Sequence, residues 1–366
     1  MSEGQISVWC LLGRKAGDNT QVLALADELG LGYEQKHILA RPWELLAHLG
    51  PAVTLAGIDR AQSSVLQPPW PDLVISAGRR NEPVARWIRQ QSGGRARLVH
   101  IGRPWAPLDD WDLVVTTPQY FLPEQANIRH NTLPLQRMSQ AALAEAGDAL
   151  RTHFADLPRP WIAVLLGGDS GQFVFTPDKG RRLAQLCQKL ADAVGGSLLL
   201  TDSPRTPRPA GDALQAALCA RHIYHRWGDS GNNPYRGLLA QADAFVVTGE
   251  SMSMLAEAAA TGKPLYIFDM GDGLTPWWQL PHAYRYKPLS HRLAMRYGPA
   301  RMRRDVGNIQ DALVQGGTAQ WLAEDTVAGS ALGLSEVSNP AVATHAVAAR
   351  ELQQTAALLR QLLISR

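Results

Sequence analysis

Short apolar runs and amphipathic stretches take turns along this chain, and that alternation predicts its elements. Apolar runs at 6–12, 34–39, 71–78, 97–101 and 113–117 read as buried strands, with a shorter one at 127–134. Stretches 20–29 and 83–91 carry apolar residues at helical spacing. Leu157-Pro158-Arg159-Pro160 then interrupts the pattern, because two prolines in four residues cannot continue a helix. The alternation restarts with strands at 161–166, 197–201, 223–227, 244–248 and 264–268, and helices at 178–194, 233–242 and 250–261. Strand–helix alternation of this kind predicts parallel sheets covered by crossover helices. The expected organisation is an α/β domain at 1–157, a second at 158–335, and a helical segment at 336–366 packing back across the proline hinge.

Composition narrows the picture. A chain of 366 residues is longer than one core usually grows, and 45% hydrophobic residues can fill two. A formal net charge of +3 is too small to imply nucleic acid, and none is expected as a partner. The three cysteines, Cys10, Cys187 and Cys219, are far apart and form no Cys-x-x-Cys pair, so neither a disulfide framework nor a zinc site is expected. No basic segment precedes an apolar stretch at Met1 to Leu12, and no apolar run reaches spanning length. The expectation is a cytoplasmic protein.

Chemistry concentrates at strand ends. A buried strand ends at Thr248, Gly249 allows a tight turn, and a helix begins around Ser251 to Ser253. The unpaired N–H groups and dipole of such a helix start favour a phosphate, and Ser251 and Ser253 add hydroxyls. Glu257 lies one turn beyond Ser253 on the same face, where a carboxylate can accept from the two hydroxyls of a ribose. The other reading is a plain capped helix with Glu257 solvated. Gly167-Gly168-Asp169-Ser170-Gly171 follows the first strand of the same half and can form an anion nest or a simple turn. Thr201 and Arg205 follow the next strand, and Arg205 suits a phosphate or stands solvated. Trp227 with the segment 231–235 either frames a base or packs inside. In the first half, Gly17, Asp18, Asn19 and Gln21 lie between strand one and helix one. Asp18 suits a general base, with helix capping by Asp18 or Asn19 as the alternative. Arg79 and Arg80 suit an acceptor phosphate or a surface patch. From 274 to 304 there is no Asp or Glu, but Arg301, Arg303, Arg304 and four more cations alternate with Trp and Tyr. That stretch reads as a surface for anionic lipid headgroups or a phosphorylated acceptor, or as a solvated cover, and it would place the protein at the inner membrane's edge.

These motifs carry a resemblance. The segment with Gly249, Ser251, Ser253, Glu257, Gly262 and Pro264 looks like the donor-site helix of GT-B glycosyltransferases. Gly17, Asp18, Asn19 and Gln21, with Ala77 to Asn81, resemble the loops of the Elm family of mitochondrial fission factors and their bacterial relatives. The resemblance runs from about Val8 to Phe268 and implies two Rossmann-like domains with parallel sheets facing a cleft. It implies a nucleoside-diphosphate sugar as substrate, with no separate cofactor and no metal, and an acceptor such as a cell-envelope glycolipid. Asp18 stands where many GT-B enzymes have His, which leaves the base open. Two other functions fit the same resemblance. One is a non-catalytic adaptor, since plant members recruit a dynamin-related protein to the mitochondrial outer membrane; the other is a nucleotide-sugar epimerase.

Overall fold

The computed structural model describes residues 6–42, 53–136, 140–171, 173–230, 233–271, 288–326 and 340–364. The chain divides into two compact units. The first comprises Met1–Arg137, Arg303–Asp305 and Ala348–Arg366; the second comprises Met138–Met302 and Val306–Val347.

The first unit opens with β1 (Val8–Leu12), α1 (Ala16–Leu29) and β2 (Tyr33–His37). It continues with β3 (Leu73–Ala77), α2 (Glu82–Gln91), β4 (Arg97–Ile101), β5 (Leu113–Thr116) and β6 (Ile128–His130). These six strands form one parallel sheet in the order β2-β1-β3-β4-β5-β6. Every residue of β1 and β3 is buried, as a sheet covered on both faces requires. Val22, Leu25 and Leu29 of α1 pack on one face; Val84, Ala85 and Ile88 of α2 pack on the other.

The second unit contains α3 (Gln140–His153), β7 (Trp161–Leu165), α4 (Pro177–Val194), β8 (Ser197–Thr201), α5 (Arg208–Ala216) and β9 (His222–His225). It goes on through α6 (Tyr235–Gln241), β10 (Ala244–Thr248), α7 (Met252–Ala260), β11 (Leu265–Phe268), α8 (Pro288–Tyr297), α9 (Gly307–Gln315) and β12 (Gln320–Trp321). Its sheet is also parallel and six-stranded, ordered β12-β11-β10-β7-β8-β9. Counted within the unit, that is the doubly wound order of dinucleotide-binding sheets.

Three differences from the sequence reading have physical causes. The first concerns α1, which starts at Ala16 and not at 20, with Lys15 as its N-cap residue. Asp18 and Asn19 therefore lie inside the first turn, and neither caps the helix. Asn19 is engaged instead with Gly13, donating to its carbonyl and accepting from its N–H, both at 2.8 Å. Secondly, contacts divide the chain at 137/138, so α3 counts with the second unit. It packs closely on α6 through a glycine of each helix: a Cβ at Gly237 would stand 2.8 Å from the Ala146 carbonyl, and one at Gly147 would stand 3.0 Å from Ala240 Cβ. Thirdly, the long C-terminal helix α10 (Pro340–Ile364) joins the first unit from Ala348 onward. There Leu352, Ala356 and Leu359 enter the same core as α1, and the Glu351 carboxylate accepts from the Thr132 N–H at 2.8 Å. Residues 336–339 and 365–366 of that expected segment lie outside the described residues.

In both sheets the strand order turns back beside the first strand. β1 sits between β2 and β3, and β7 sits between β8 and β10. Loops leaving the carboxyl ends of two such adjacent strands diverge to opposite faces and open a crevice, the usual ligand position in open parallel sheets. The loop pairs so placed are 13–15 with 78–81, and 167–171 with 249–251.

Candidate functional site

At the second switch point two glycine turns are locked together. Gly168 has φ +103°, and a Cβ there would collide with the backbone of Arg205 and Thr206. Asp169 N–H donates to the Arg205 carbonyl at 3.0 Å, while Ser203 Oγ and Thr206 Oγ1 both donate to the Gly167 carbonyl. From the other side, Thr248 Oγ1 accepts from the Gly167 N–H at 2.8 Å. Buried Gln310 of α9 donates to the Gly249 carbonyl at 2.5 Å and leaves no space for a Cβ on that glycine. Backbone and neutral side chains thus fix both turns.

Arg205 reaches across this framework. Its guanidinium donates to the Asp169 carbonyl at 3.2 Å and to Ser251 Oγ at 3.3 Å, and lies 3.9 Å from Glu250 Oε1. About a third of the Arg205 side chain remains exposed, whereas the Glu250 side chain is fully buried. A cation therefore stands beside the first residues of α7, where the helix dipole also favours an anion. Burial pushes the Glu250 carboxyl up to about 7, against the opposing pull of Arg205 and hydrogen bonds from Thr248 and Gly168. The Asp169 carboxyl is raised for the same reason.

Along α7 the half-buried positions are Ser253, Met254 and Glu257, while Leu255, Ala256, Ala258 and Ala259 are buried. Ser253 and Glu257 therefore share the helix's accessible face. Glu257 accepts a short hydrogen bond from the Tyr235 hydroxyl of α6. Burial raises its carboxyl, offset in part by Tyr235 and Arg236. Ser170 is half-buried in the turn after β7.

Two expected positions differ from the sequence reading. Thr201 is 1% exposed as the last residue of β8, and its buried hydroxyl finds no hydrogen-bond partner, so it belongs to the interior and not to the loop surface. Trp227 is 52% exposed, which removes the core alternative; its N–H bond to Asp202 anchors the loop after β9. Gly231 and Asn232 beside it lie outside the described residues. Glu250 and Gln310 have no role in the sequence reading, although Glu250 is legible as a carboxylate between a strand end and a helix start; Tyr235, read there as part of a segment framing a base, is bonded to Glu257.

The first unit has its own pocket at its switch point. It is about 70 Å³ and is lined by Asp18, Gly78 and Asn81 with the cations Arg14, Lys15, Arg79 and Arg80. Asp18 faces Gly78, which at φ +72° could not take a Cβ without crowding the Asp18 carboxylate at 2.7 Å. Asn81 is buried and donates to the carbonyls of Leu11 (3.1 Å) and Ala77 (3.2 Å), so its Oδ1, with no partner, is fixed in place. Arg79 lies over the Trp105 ring at 4.9 Å. Gln21 donates to the Gly17 carbonyl at 3.3 Å, a bond within α1 rather than toward the pocket.

The arginine-rich stretch is divided. Residues 272–287, with Trp277, Trp278, Tyr284, Arg285, Tyr286 and Lys287, lie outside the described residues. Helix α8 exposes Leu293, Arg296 and Tyr297, and Arg301 is exposed after it. Arg303 and Arg304 count with the first unit, where Arg304 Nε donates to Gln119 Oε1 at 2.8 Å. Among the described residues no helix is long and apolar enough to cross a membrane.

Two Rossmann-like units with parallel sheets and glycine turns at their switch points make this an α/β protein of the GT-B type. The UDP-GlcNAc 2-epimerase of Methanocaldococcus jannaschii has this fold: it superposes with a TM-score of 0.54 over 97% of this chain and 100% of its own, at 9% identity. The sequence is more particular. Residues 16–283 match the family described as Mitochondrial fission ELM1, and the chain belongs to that family. It is 28% identical to the mitochondrial fission protein ELM1 of Arabidopsis thaliana over 270 residues, 66% of this chain and 63% of the plant protein. The match thus spans less than two thirds of that relative. It is 26% identical to the uncharacterized protein RP120 of Rickettsia prowazekii (strain Madrid E) over 301 residues, 72% of this chain and 83% of that one.

Proposed function

We propose that the second unit binds a nucleoside-diphosphate sugar and that the protein is a glycosyltransferase of the GT-B type. One observation carries the reading: at the switch point, Gly167–Gly168, Arg205 and the start of α7 converge, and Ser253 and Glu257 share the helix face beside them. The diphosphate meets backbone N–H groups, Ser251, Ser253 and Arg205. Glu257, with one oxygen held by Tyr235, offers the other to the ribose, and the exposed Trp227 ring suits a base. Helix dipole and guanidinium stabilise the charge that grows on the leaving diphosphate. In the first unit Asp18 serves as base for an acceptor hydroxyl, and Arg79 and Arg80 suit an acceptor phosphate. The epimerase with this fold acts on a nucleotide sugar by its name, and that alternative uses the same second-unit site.

Calorimetric titration with nucleoside diphosphates tests the reading. Glu257→Ala is expected to weaken binding about tenfold to a hundredfold, the equivalent of roughly 1.5–3 kcal/mol for hydrogen bonds to a charged acceptor. Glu257→Gln loses less, because its amide oxygen still accepts. Since Glu257→Ala also strips Tyr235 of its partner, melting temperatures are compared alongside. Equal affinity removes the ribose assignment. Absence of binding by the native protein favours the adaptor, the reading that the name of the plant relative supports.

We also propose that the exposed Leu293, Arg296, Tyr297 and Arg301 meet anionic headgroups. Co-sedimentation with phosphatidylglycerol vesicles is expected at low salt, to fall several-fold in Arg296→Glu/Arg301→Glu, and to vanish as salt screens the charge. Sedimentation unchanged by either removes the idea.

A further inference from the structure

The nucleotide reading leaves Glu250 without a task, although its carboxyl is the most enclosed charged group at the site. Thr248 Oγ1 donates to Glu250 Oε1 at 3.2 Å, and Oε2 is buried with no hydrogen-bond partner. A Cβ on Gly167 would fall onto this carboxyl, so the glycine turn after β7 is wrapped directly over it. The charged group facing it is Arg205, at 3.9 Å from the loop after β8. β10 contributes the neutral Thr248, the turn after β7 contributes glycine backbone, and α9 contributes the neutral Gln310, bonded to Gly249. Further out, Asp169 is occupied by the Phe175 N–H and feels Arg205 and Lys179, while Glu257 is held by Tyr235.

This geometry has a consequence for any anion that lands on α7. At 3.9 Å, Glu250 draws the guanidinium inward without saturating it, and the exposed third of Arg205 remains available to a phosphate. Once a phosphate takes that charge, the buried carboxylate loses its compensation and gains a negative neighbour. An uncompensated buried carboxylate neutralises rather than persists. Resting on the nucleotide reading above, we infer that Glu250 is a positioning residue for Arg205, and that its carboxyl is driven to the protonated form by solvent as the guanidinium is handed to the diphosphate. The carboxyl already titrates near 7 through burial, so the exchange falls in an accessible range.

The test is calorimetric titration of the native protein and Glu250→Gln with uridine diphosphate and with inorganic pyrophosphate, near pH 7, in two buffers of unlike ionisation enthalpy. The native protein is expected to take up about half a proton per anion, and its affinity to weaken by about tenfold in all as pH rises above 7. Glu250→Gln should bind both anions without that extra uptake, the difference between the two proteins cancelling the ligand's own titration. Should Glu250→Gln fail to fold, carboxyl 13C NMR of the native protein replaces it. Glu250 should then move its midpoint upward by about one pH unit when pyrophosphate is added. Uptake that is equal in both proteins, or a midpoint that stays put, overturns the inference and leaves nucleotide binding standing. Proton-coupled binding of pyrophosphate without binding of uridine diphosphate keeps Glu250 and removes the nucleotide reading. If neither anion binds, both fall.

Discussion

Gly168→Ala is expected to lower the melting temperature of the second unit sharply and to abolish nucleoside-diphosphate binding. Two penalties combine at this position. The φ of +103° is a conformation that side-chain-bearing residues adopt at a cost of about 1–3 kcal/mol. The added methyl also meets the Arg205 carbonyl, which belongs to backbone and cannot swing away, and such overpacking costs about 1–3 kcal/mol more. For a unit of this size the sum corresponds to a fall of roughly 5–20 °C. Binding suffers separately, because pushing Arg205 outward moves the guanidinium away from Ser251. Gly171→Ala is the matched control. It has φ +58°, and its added Cβ meets nothing within 4 Å, so it carries only the conformational penalty. Scanning calorimetry of both variants decides: equal melting temperatures would sink the claim that the two turns interlock through this glycine.

The second large effect belongs to Glu82, in the first unit. Its carboxyl is 1% exposed and accepts from the N–H groups of Trp105 (3.0 and 2.8 Å) and Ala106 (2.9 Å), which ties the start of α2 to the loop after β4. Glu82→Ala leaves two donors without their acceptor, at about 1–3 kcal/mol each, and should lower the melting temperature by roughly 5–20 °C. The pH dependence has a definite sign. Burial raises this carboxyl from 4.5 to about 7, more than the backbone bonds and nearby arginines lower it. Between those values the folded protein binds more protons than the unfolded one, so stability falls as pH rises from about 4.5 through about 7. Below that window the penalty is absent; above it the penalty is fully present. Glu250 adds a contribution of the same sign in the second unit. Urea melts of the native protein and Glu82→Gln between pH 5 and 8 are expected to show a flatter slope in the variant. Parallel slopes would mean that Glu82 does not titrate in this range.

Much of this architecture was legible in the sequence because buried parallel strands are apolar on both faces and stand out as continuous runs. Runs such as Trp161–Leu165 and Ala244–Thr248 needed no further context. The glycine turns were legible for a similar reason, since each follows directly on such a run. Helix α5 was missed because Pro207 and Pro209 look like loop, whereas proline is well tolerated at a helix start. The start of α1 was misplaced because what engages Asn19 is Gly13, six residues back, a contact no helical period announces. At the site, Ser251, Ser253 and Glu257 followed from spacing on one helix. The long-range pairings at the site did not: Tyr235 lies 22 residues from Glu257, Arg205 lies 46 from Ser251, and Gln310 lies 61 from Gly249. Such pairings depend on strand order, which local patterning leaves undetermined. Thr201 shows the same limit in one residue, for the end of a strand does not reveal which way its last side chain points.

The late return of the chain to its first unit bears on how the protein is made. Leu352, Ala356 and Leu359 complete a core whose other walls, from β1 and α1, leave the ribosome first. More than three hundred residues, the whole of the second unit among them, separate Leu29 from Leu352. At about 5–20 residues per second that interval lasts on the order of 15–65 seconds. Throughout it, the core that Val22, Leu25 and Leu29 share with the sheet lacks the wall that α10 supplies. The second unit can close on itself first, and the amino-terminal unit, although older on the ribosome, is the one that finishes last.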